Sequence, residues 1–101
     1  MEFRNERHFQ TATADYGIIH DWLVYGHPDS RKANFLSTPG FFDLVLMREI
    51  DARIVLMELK MGKRKPNEDQ QLWARVARLN PGVEVYLKYP TDWESITWIL
   101  K

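Results

Sequence analysis

The chain has 101 residues, a length that predicts a single domain over residues 1–101. Its 14 basic side chains balance its 14 acidic ones, which argues mildly against a non-specific nucleic-acid binder. With 45% apolar and 28% charged residues, the composition is globular and not disordered, and the lack of cysteine excludes disulfides and thiolate metal sites. No stretch has the apolar length of a membrane span or a signal peptide, so we expect a cytoplasmic protein with no membrane partner.

The first part of the chain predicts a helix, a short strand and a long loop. Residues 3–16 carry side chains that recur at the three-to-four spacing of one helix face. Trp22–Tyr25 predicts a short strand, which Gly26 stops. Residues 26–40 then form a long loop, and a loop of this length in a small domain is usually functional or disordered.

Two apolar runs joined by four residues predict a β-hairpin over residues 43–48 and 53–60. If Arg48 pairs with Arg53, the antiparallel register of every other pair follows, and paired side chains project to the same face about 5 Å apart. A slip of one residue would move a whole set of side chains to the other face.

In that register Asp43 stands directly opposite Glu58, and Lys60 shares their face because it lies two residues beyond Glu58. Like charges opposite one another destabilise a sheet, so the pair indicates a cation between the two acids. Hard divalent cations prefer such carboxylate oxygens. The competing interpretation is a turn acid that opens one strand and a solvated end of the next.

Positive charges cluster directly after the second apolar run, at Lys60, Lys63, Arg64 and Lys65. Beside an acidic metal site, such a cluster fits a phosphate-binding edge. A solvated loop explains the same residues equally well.

A second helix is predicted from Asn67, an N-cap candidate with Gln70 three residues later, as a capping box requires. Its expected buried face comprises Leu72, Val76 and Leu79. Val83–Leu87 alternates as a half-exposed strand should. Thr91–Glu94 forms a second capping-box pattern and opens a last helix.

The histidines and tryptophans give weaker signals. His8 and His20 stand at no ligand spacing with another histidine, which argues against a zinc site. We expect Trp22 to lie in the core. The tryptophans of the predicted helices, Trp73, Trp93 and Trp98, belong to a core or an interface more readily than to a base-stacking platform.

The predicted order is helix, three strands, helix, strand, helix, with an aspartate at the start of the second strand and Glu58-Leu59-Lys60 at the end of the third. A series of motifs follows that order: Glu6–Gln10, His27 with Asp29–Arg31, Pro39–Leu46, Gln70 with Trp73, Gly82–Tyr86 and Pro90–Trp93. This series resembles the PD-(D/E)XK nuclease superfamily and, more closely, its virus-type replication-repair nuclease (VRR-NUC) family. Two departures are Phe42, where the family usually has proline, and Asn67, where serine is frequent; both Asn and Ser cap helices well.

The resemblance implies an α+β fold with a mixed central sheet flanked by helices, and hydrolysis of DNA with Mg²⁺ or Mn²⁺. It assigns the metal to Asp43, Glu58 and the backbone carbonyl of Leu59. Lys60 would orient or activate the attacking water and stabilise developing charge. Gln70 completes the expected catalytic set.

Other expected site residues have plain alternatives. Glu6 would bind the metal directly or through water, but acids near helix N-termini are common because the helix dipole favours them. Gln70 would orient Lys60 or the water, serve as the capping partner of Asn67, or do both. For DNA the resemblance points to the loop residues and the basic cluster: His27, Ser30, Arg31, Lys63, Arg64 and Lys65. Hydroxyl and guanidinium groups are frequent phosphate donors.

The small size of the chain and the resemblance together favour a homodimer with two sites that cuts branched or junction DNA, as a Holliday-junction resolvase does. The family also suggests a phage or bacterial setting. The competing hypothesis is a non-catalytic module on the same fold that binds DNA or a protein. Intact Asp43, Glu58 and Lys60 argue against the module, because one substitution would relieve the like-charge pair.

Overall fold

The computed structural model describes residues 1–26 and 36–101 and has the mixed α+β class expected from the sequence. Residues 1–26 and 36–101 form three α-helices, a four-stranded mixed sheet and one turn of 3₁₀ helix. The elements in chain order are α1 (Glu6–Ile19), β1 (Leu23–Gly26), β2 (Leu44–Arg48), β3 (Arg53–Leu59), α2 (Glu68–Ala77), β4 (Glu84–Lys88), the 3₁₀ turn (Pro90–Asp92) and α3 (Trp93–Leu100).

The sheet has the strand order β1-β2-β3-β4. The first three strands are antiparallel neighbours, and β4 runs parallel to β3, which requires the crossover that α2 supplies. Arg48 pairs with Arg53, and Leu44 pairs with Met57, so the predicted hairpin register is confirmed. The ends of β1, β3 and β4 and the beginning of β2 therefore meet at one edge of the sheet.

The core lies on the sheet face that α1 and α3 cover. It consists of Phe9, Trp22, Leu44, Leu46, Val55, Met57, Leu59, Ile96 and Leu100. Burial of these side chains supplies the main driving force for folding. Because side chains alternate along a strand, Met57 and Leu59 in the core direct Glu58 to the opposite face.

Trp22 is buried, as expected, and its indole Nε1 donates a hydrogen bond to the Leu100 carbonyl at 2.7 Å. Helix α1 extends three residues past the predicted end, through Gly17. A Cβ at Gly17 would lie 2.9 Å from Leu46 Cδ2, so the glycine permits a close approach of helix and sheet that outweighs its low helix propensity. At its start, the Asn5 side chain caps α1 by accepting from the His8 backbone N–H at 2.8 Å.

Helix α2 begins with the predicted capping box, but its predicted buried face is wrong. Leu72, Val76 and Leu79 are 45%, 55% and 80% exposed, and no residue of α2 is fully buried. The helix contacts the molecule through its other side, where Trp73 Nε1 donates to the Pro39 carbonyl at 3.0 Å. Leu72 and Val76 lie on one side of the helix and Leu79 lies just past its end, and this apolar stripe faces solvent.

The predicted capping box at Thr91–Glu94 is also wrong. Pro90 begins the 3₁₀ turn, a position that suits proline because its missing N–H needs no partner there. The Asp92 carboxylate accepts a hydrogen bond from the Tyr89 backbone N–H at 2.8 Å, and α3 then starts without a side-chain cap. Trp98 of α3 is 73% exposed and lies outside the core. None of the described helices has the length and apolar character that a bilayer crossing requires.

Candidate metal centre

Asp43 and Glu58 come together at the edge of the sheet where β2 begins and β3 ends. Asp43 immediately precedes β2, and its Oδ2 accepts a hydrogen bond from the Leu59 backbone N–H at 2.7 Å. The Asp43 carboxyl is near enough to Glu58 for its hydrogen bonding and its charge to raise the pKa of Glu58. The hairpin register therefore produces the side-by-side acid pair that the sequence predicts.

Burial and a like charge hold Glu58 in its protonated form. The residue is only 5% exposed, and this burial, followed by the hydrogen bond and the charge of Asp43, raises the pKa of Glu58 from 4.5 to about 9. Lys60 opposes the rise in pKa and Glu6 adds to it. At neutral pH and without a metal, Glu58 donates a proton to the pair, as carboxyls that share a site do.

Lys60 is the third member of the site and is 7% exposed. Its Nζ lies 3.9 Å from Glu58 Oε1. Its backbone N–H donates to the Lys88 carbonyl at 3.0 Å, which extends the β3–β4 pairing one residue past the strand. The sheet thus fixes the backbone on both sides of the acid pair, and a buried ammonium stands beside it.

Gln70 combines the two roles that the sequence left open. Its Oε1 accepts from the Asn67 backbone N–H at 2.9 Å, and its backbone N–H donates to Asn67 Oδ1 at 2.9 Å. Its Nε2 donates to Glu58 Oε1 at 3.3 Å. The same side chain therefore caps α2 and orients Glu58, and its hydrogen-bond partner in the site is Glu58 and not Lys60.

Glu6 lies close enough for its charge to raise the pKa of Glu58. Its Oε2 is 3.6 Å from Arg64 Nη1. Within residues 1–26 and 36–101 no three His, Cys, Asp or Glu side chains form a group able to hold a metal ion, so Glu6 does not join Asp43 and Glu58 in a three-acid cluster. Arg64 of the basic cluster is thus partly engaged by an acid.

The rest of the basic cluster is exposed at Lys63 and Lys65. Tyr89 Oη donates to the Arg64 carbonyl at 2.6 Å, which ties the backbone of the basic segment to the residue after β4. No local sequence pattern indicates this contact, because its partners lie 25 positions apart in the chain. The expected DNA contacts of His27, Ser30 and Arg31 lie outside the described residues.

The loop that carries Asp43 is pressed against the first turn of α2. Gly40 has a φ of +100°, and a Cβ there would lie 2.5 Å from the carbonyl carbon of Asp69. Phe41 packs edge-on against Trp73, with ring centroids 4.8 Å apart. Phe42, at the usual proline position of the resembling family, is buried. Aromatic packing here supplies the fixed entry to β2 that a proline ring would give.

Gly40→Ala is expected to destabilise the fold by about 2–4 kcal/mol, because the methyl group would meet the α2 backbone and the left-handed φ would be strained. Gly62→Ala is the matched control. Gly62 also has a positive φ, +58°, but its Cβ would meet nothing within 4 Å, so we expect a loss of about 1 kcal/mol. Urea unfolding of both variants checks the difference; equal losses would contradict a tight contact between this loop and α2.

The donor set fits a hard divalent cation. Asp43 and Glu58 offer carboxylate oxygens, and the predicted third ligand is the carbonyl of Leu59, the residue next to Glu58. Mg²⁺ is commonly held by one or two carboxylates, with waters and substrate phosphate completing the shell. Two acids that share one proton in a buried place would exchange that proton for a cation.

No family model, no curated protein and no solved structure matches this chain. The similarity to the VRR-NUC nucleases therefore stays a prediction from the residues and motifs that carry it.

Proposed function

We propose that this protein is an endonuclease that hydrolyses the phosphodiester bonds of DNA with Mg²⁺ or Mn²⁺, on a core of the PD-(D/E)XK kind. The observation that carries the proposal is the buried Glu58 carboxyl beside the half-buried Asp43, with the buried Lys60 Nζ 3.9 Å from Glu58 Oε1. Buried ionisable groups with strongly perturbed pKa values concentrate at functional sites. The order of elements, with both acids and the lysine at one edge of a mixed sheet, supports the same conclusion.

In the proposed reaction a water oxygen attacks phosphorus and the phosphorus–oxygen bond to the leaving sugar breaks, which yields one phosphate monoester end and one hydroxyl end. Asp43 and Glu58 would hold the metal, which would supply an acidified water and offset the charge on the phosphate. Lys60 donates hydrogen bonds to the water or to the phosphoryl oxygens. Gln70 keeps Glu58 in position, and the Leu59 N–H keeps Asp43 in position.

Incubation of labelled four-way junction, duplex and single-stranded DNA with Mg²⁺ or Mn²⁺ tests the proposal. We expect cleavage by the wild type that Asp43→Ala abolishes. Binding without cleavage in either metal would instead identify a non-catalytic DNA-binding module. Cleavage that survives Asp43→Ala would mean that the acid pair is not the reactive site.

We propose further that the protein acts as a homodimer on branched DNA, since paired cuts need two sites. The stripe formed by Leu72, Val76 and Leu79 supports this assignment. Leu72 and Val76 stand one turn apart on α2, Leu79 follows two residues after the helix ends, and all three are exposed in the single chain. Contiguous exposed apolar groups commonly mark an interaction surface.

Val76→Glu is expected to convert the dimer into a folded monomer, because a charge at the centre of the stripe opposes burial against a second copy. Val76 is 55% exposed in the single chain, so its replacement should change the unfolding free energy of a monomer by about 0.5 kcal/mol or less. Light scattering after size exclusion measures the mass. Glu68→Gln, elsewhere on α2, is the control; a wild type that is already monomeric at micromolar concentration would contradict the dimer.

A further inference from the structure

The acid pair lies between two grooves that open on opposite sides of the sheet edge. The larger groove, about 340 Å³, runs between α2 and β4 and has Glu58 and Gln70 in its wall. The smaller groove, about 180 Å³, runs between α1 and the adjoining ends of β1 and β2 and has Asp43 in its wall. Glu58 therefore lines one groove and Asp43 the other, and Phe42 in the wall of the first directly precedes Asp43 in the wall of the second.

The α2 groove has an apolar floor and a cationic rim. Val85 and Leu87 line it from β4, on the sheet face that carries Glu58. Arg75 and Arg78 stand on the rim, both are exposed, and neither forms an ion pair with any residue in the described ranges. Exposed guanidinium groups beside an apolar surface can bind a nucleotide, because guanidinium binds phosphate and the base packs against the apolar surface.

The α1 groove offers hydrogen-bond donors of the same kind. Arg7, Gln10 and Thr11 line it from one side of α1. Arg7 is exposed and has no acidic partner among the residues that the structure describes. Guanidinium, amide and hydroxyl groups are the side chains that most often contact the phosphate backbone.

We infer that one strand of nucleic acid crosses the edge of the sheet, occupying the α1 groove beside Arg7 and the α2 groove beside Arg75 and Arg78, with the phosphate between them at the acid pair. The choice of DNA as the ligand rests on the proposed function. The path adds which residues hold the strand on each side of the acid pair.

Fluorescence anisotropy of a labelled oligodeoxythymidylate of about 20 nucleotides tests the path, with the full-length chain, Ca²⁺ in place of Mg²⁺, and salt varied. The variants are Arg75→Gln with Arg78→Gln, and Arg7→Gln. Lys101→Gln is the control, because Lys101 lies beside Arg48 at the opposite edge of the sheet. All variants are checked for an unchanged Tm, and Arg75→Lys with Arg78→Lys should recover most of the binding.

We expect the double variant to bind about tenfold more weakly, Arg7→Gln about threefold more weakly and the control unchanged. The slope of log K against log salt should become shallower by about 0.7 for each arginine removed. A loss confined to one groove, or no loss in either, would overturn the crossing path even if the wild type cleaves DNA. If the variants of both grooves bind DNA more weakly and the wild type never cleaves DNA, the path is supported and the proposed nuclease activity is refuted.

Discussion

Replacing Lys60 with methionine is expected to lower the rate of metal-dependent DNA cleavage by about a thousandfold. General acid–base groups and donors aimed at developing charge are each worth roughly 10²- to 10⁴-fold in rate, and Lys60 is the buried ammonium beside the acid pair, 3.9 Å from Glu58 Oε1. Methionine retains an unbranched apolar stem, so the packing of that stem is preserved. The loss should appear in kcat, since the substrate strand keeps its other contacts.

Lys63→Met is the matched control for this experiment, because Lys63 is an exposed lysine three residues further along the same segment. It should reduce affinity for DNA at low salt by a few-fold and leave kcat unchanged. Equal effects of the two substitutions on kcat would show that Lys60 contributes only positive charge near the substrate. Circular dichroism and Tm of each variant separate a lost reaction from a lost fold.

The metal-free protein is expected to lose stability as the pH rises from about 4.5 toward about 9. The pKa of Glu58 is 4.5 in its ordinary state and is raised to about 9 in the fold, so between these values the native state keeps a proton that the unfolded chain releases. The native state then binds more protons than the unfolded state, and the free energy of unfolding must fall with pH. Below pH 4.5 this contribution to stability is fully present.

Glu58→Gln should remove this pH dependence. Glutamine keeps a donor and an acceptor near Asp43 but has no proton to lose. We therefore expect the free energy of unfolding of the variant, at pH 8 without metal, to exceed that of the wild type by on the order of 2–4 kcal/mol. Guanidinium unfolding at several pH values measures the difference. Glu49→Gln, in the exposed turn between β2 and β3, is the control and should follow the wild type. A wild-type profile that is flat from pH 5 to 8 would contradict the protonated pair.

Metal should act in the opposite direction. Mg²⁺ or Mn²⁺ must displace the Glu58 proton, so the rise in Tm on adding metal should grow with pH. Glu58→Gln should abolish most of that rise, since an amide is a poorer ligand for a hard cation than a carboxylate. A metal-induced shift of equal size in this variant would place the cation elsewhere.

The acid pair could be predicted from the sequence because it depends on one local quantity, the register of a hairpin. Arg48 and Arg53 bracket a four-residue connection, and once they pair, the alternation of side chains puts Asp43 beside Glu58. The capping box at Asn67 was equally local, since a cap involves only residues within one turn. Both predictions needed no knowledge of the rest of the molecule.

Of the features that were wrong or missed, two depend on contacts between distant segments, and one depends on a neighbouring proline. Leu72, Val76 and Leu79 have a core-like spacing, but whether such a stripe is covered depends on how the helix docks, and α2 docks through Trp73 on its other side. The cap assigned to Thr91 failed because Pro90 takes the preceding turn into a 3₁₀ conformation. The contact of Tyr89 with the Arg64 carbonyl joins segments that no periodicity relates.

Helix α2 has no fully buried residue. Gln70 belongs to its first turn and also donates a hydrogen bond to Glu58. A helix attached so lightly can fray at little cost, and each fraying event would withdraw the amide from Glu58. A second copy or another macromolecule that binds the outer surface of α2 would therefore reduce fraying and stabilise the contact of Gln70 with Glu58. Binding at the outer surface of α2 and metal binding at the carboxyl pair would then be thermodynamically linked through a single side chain.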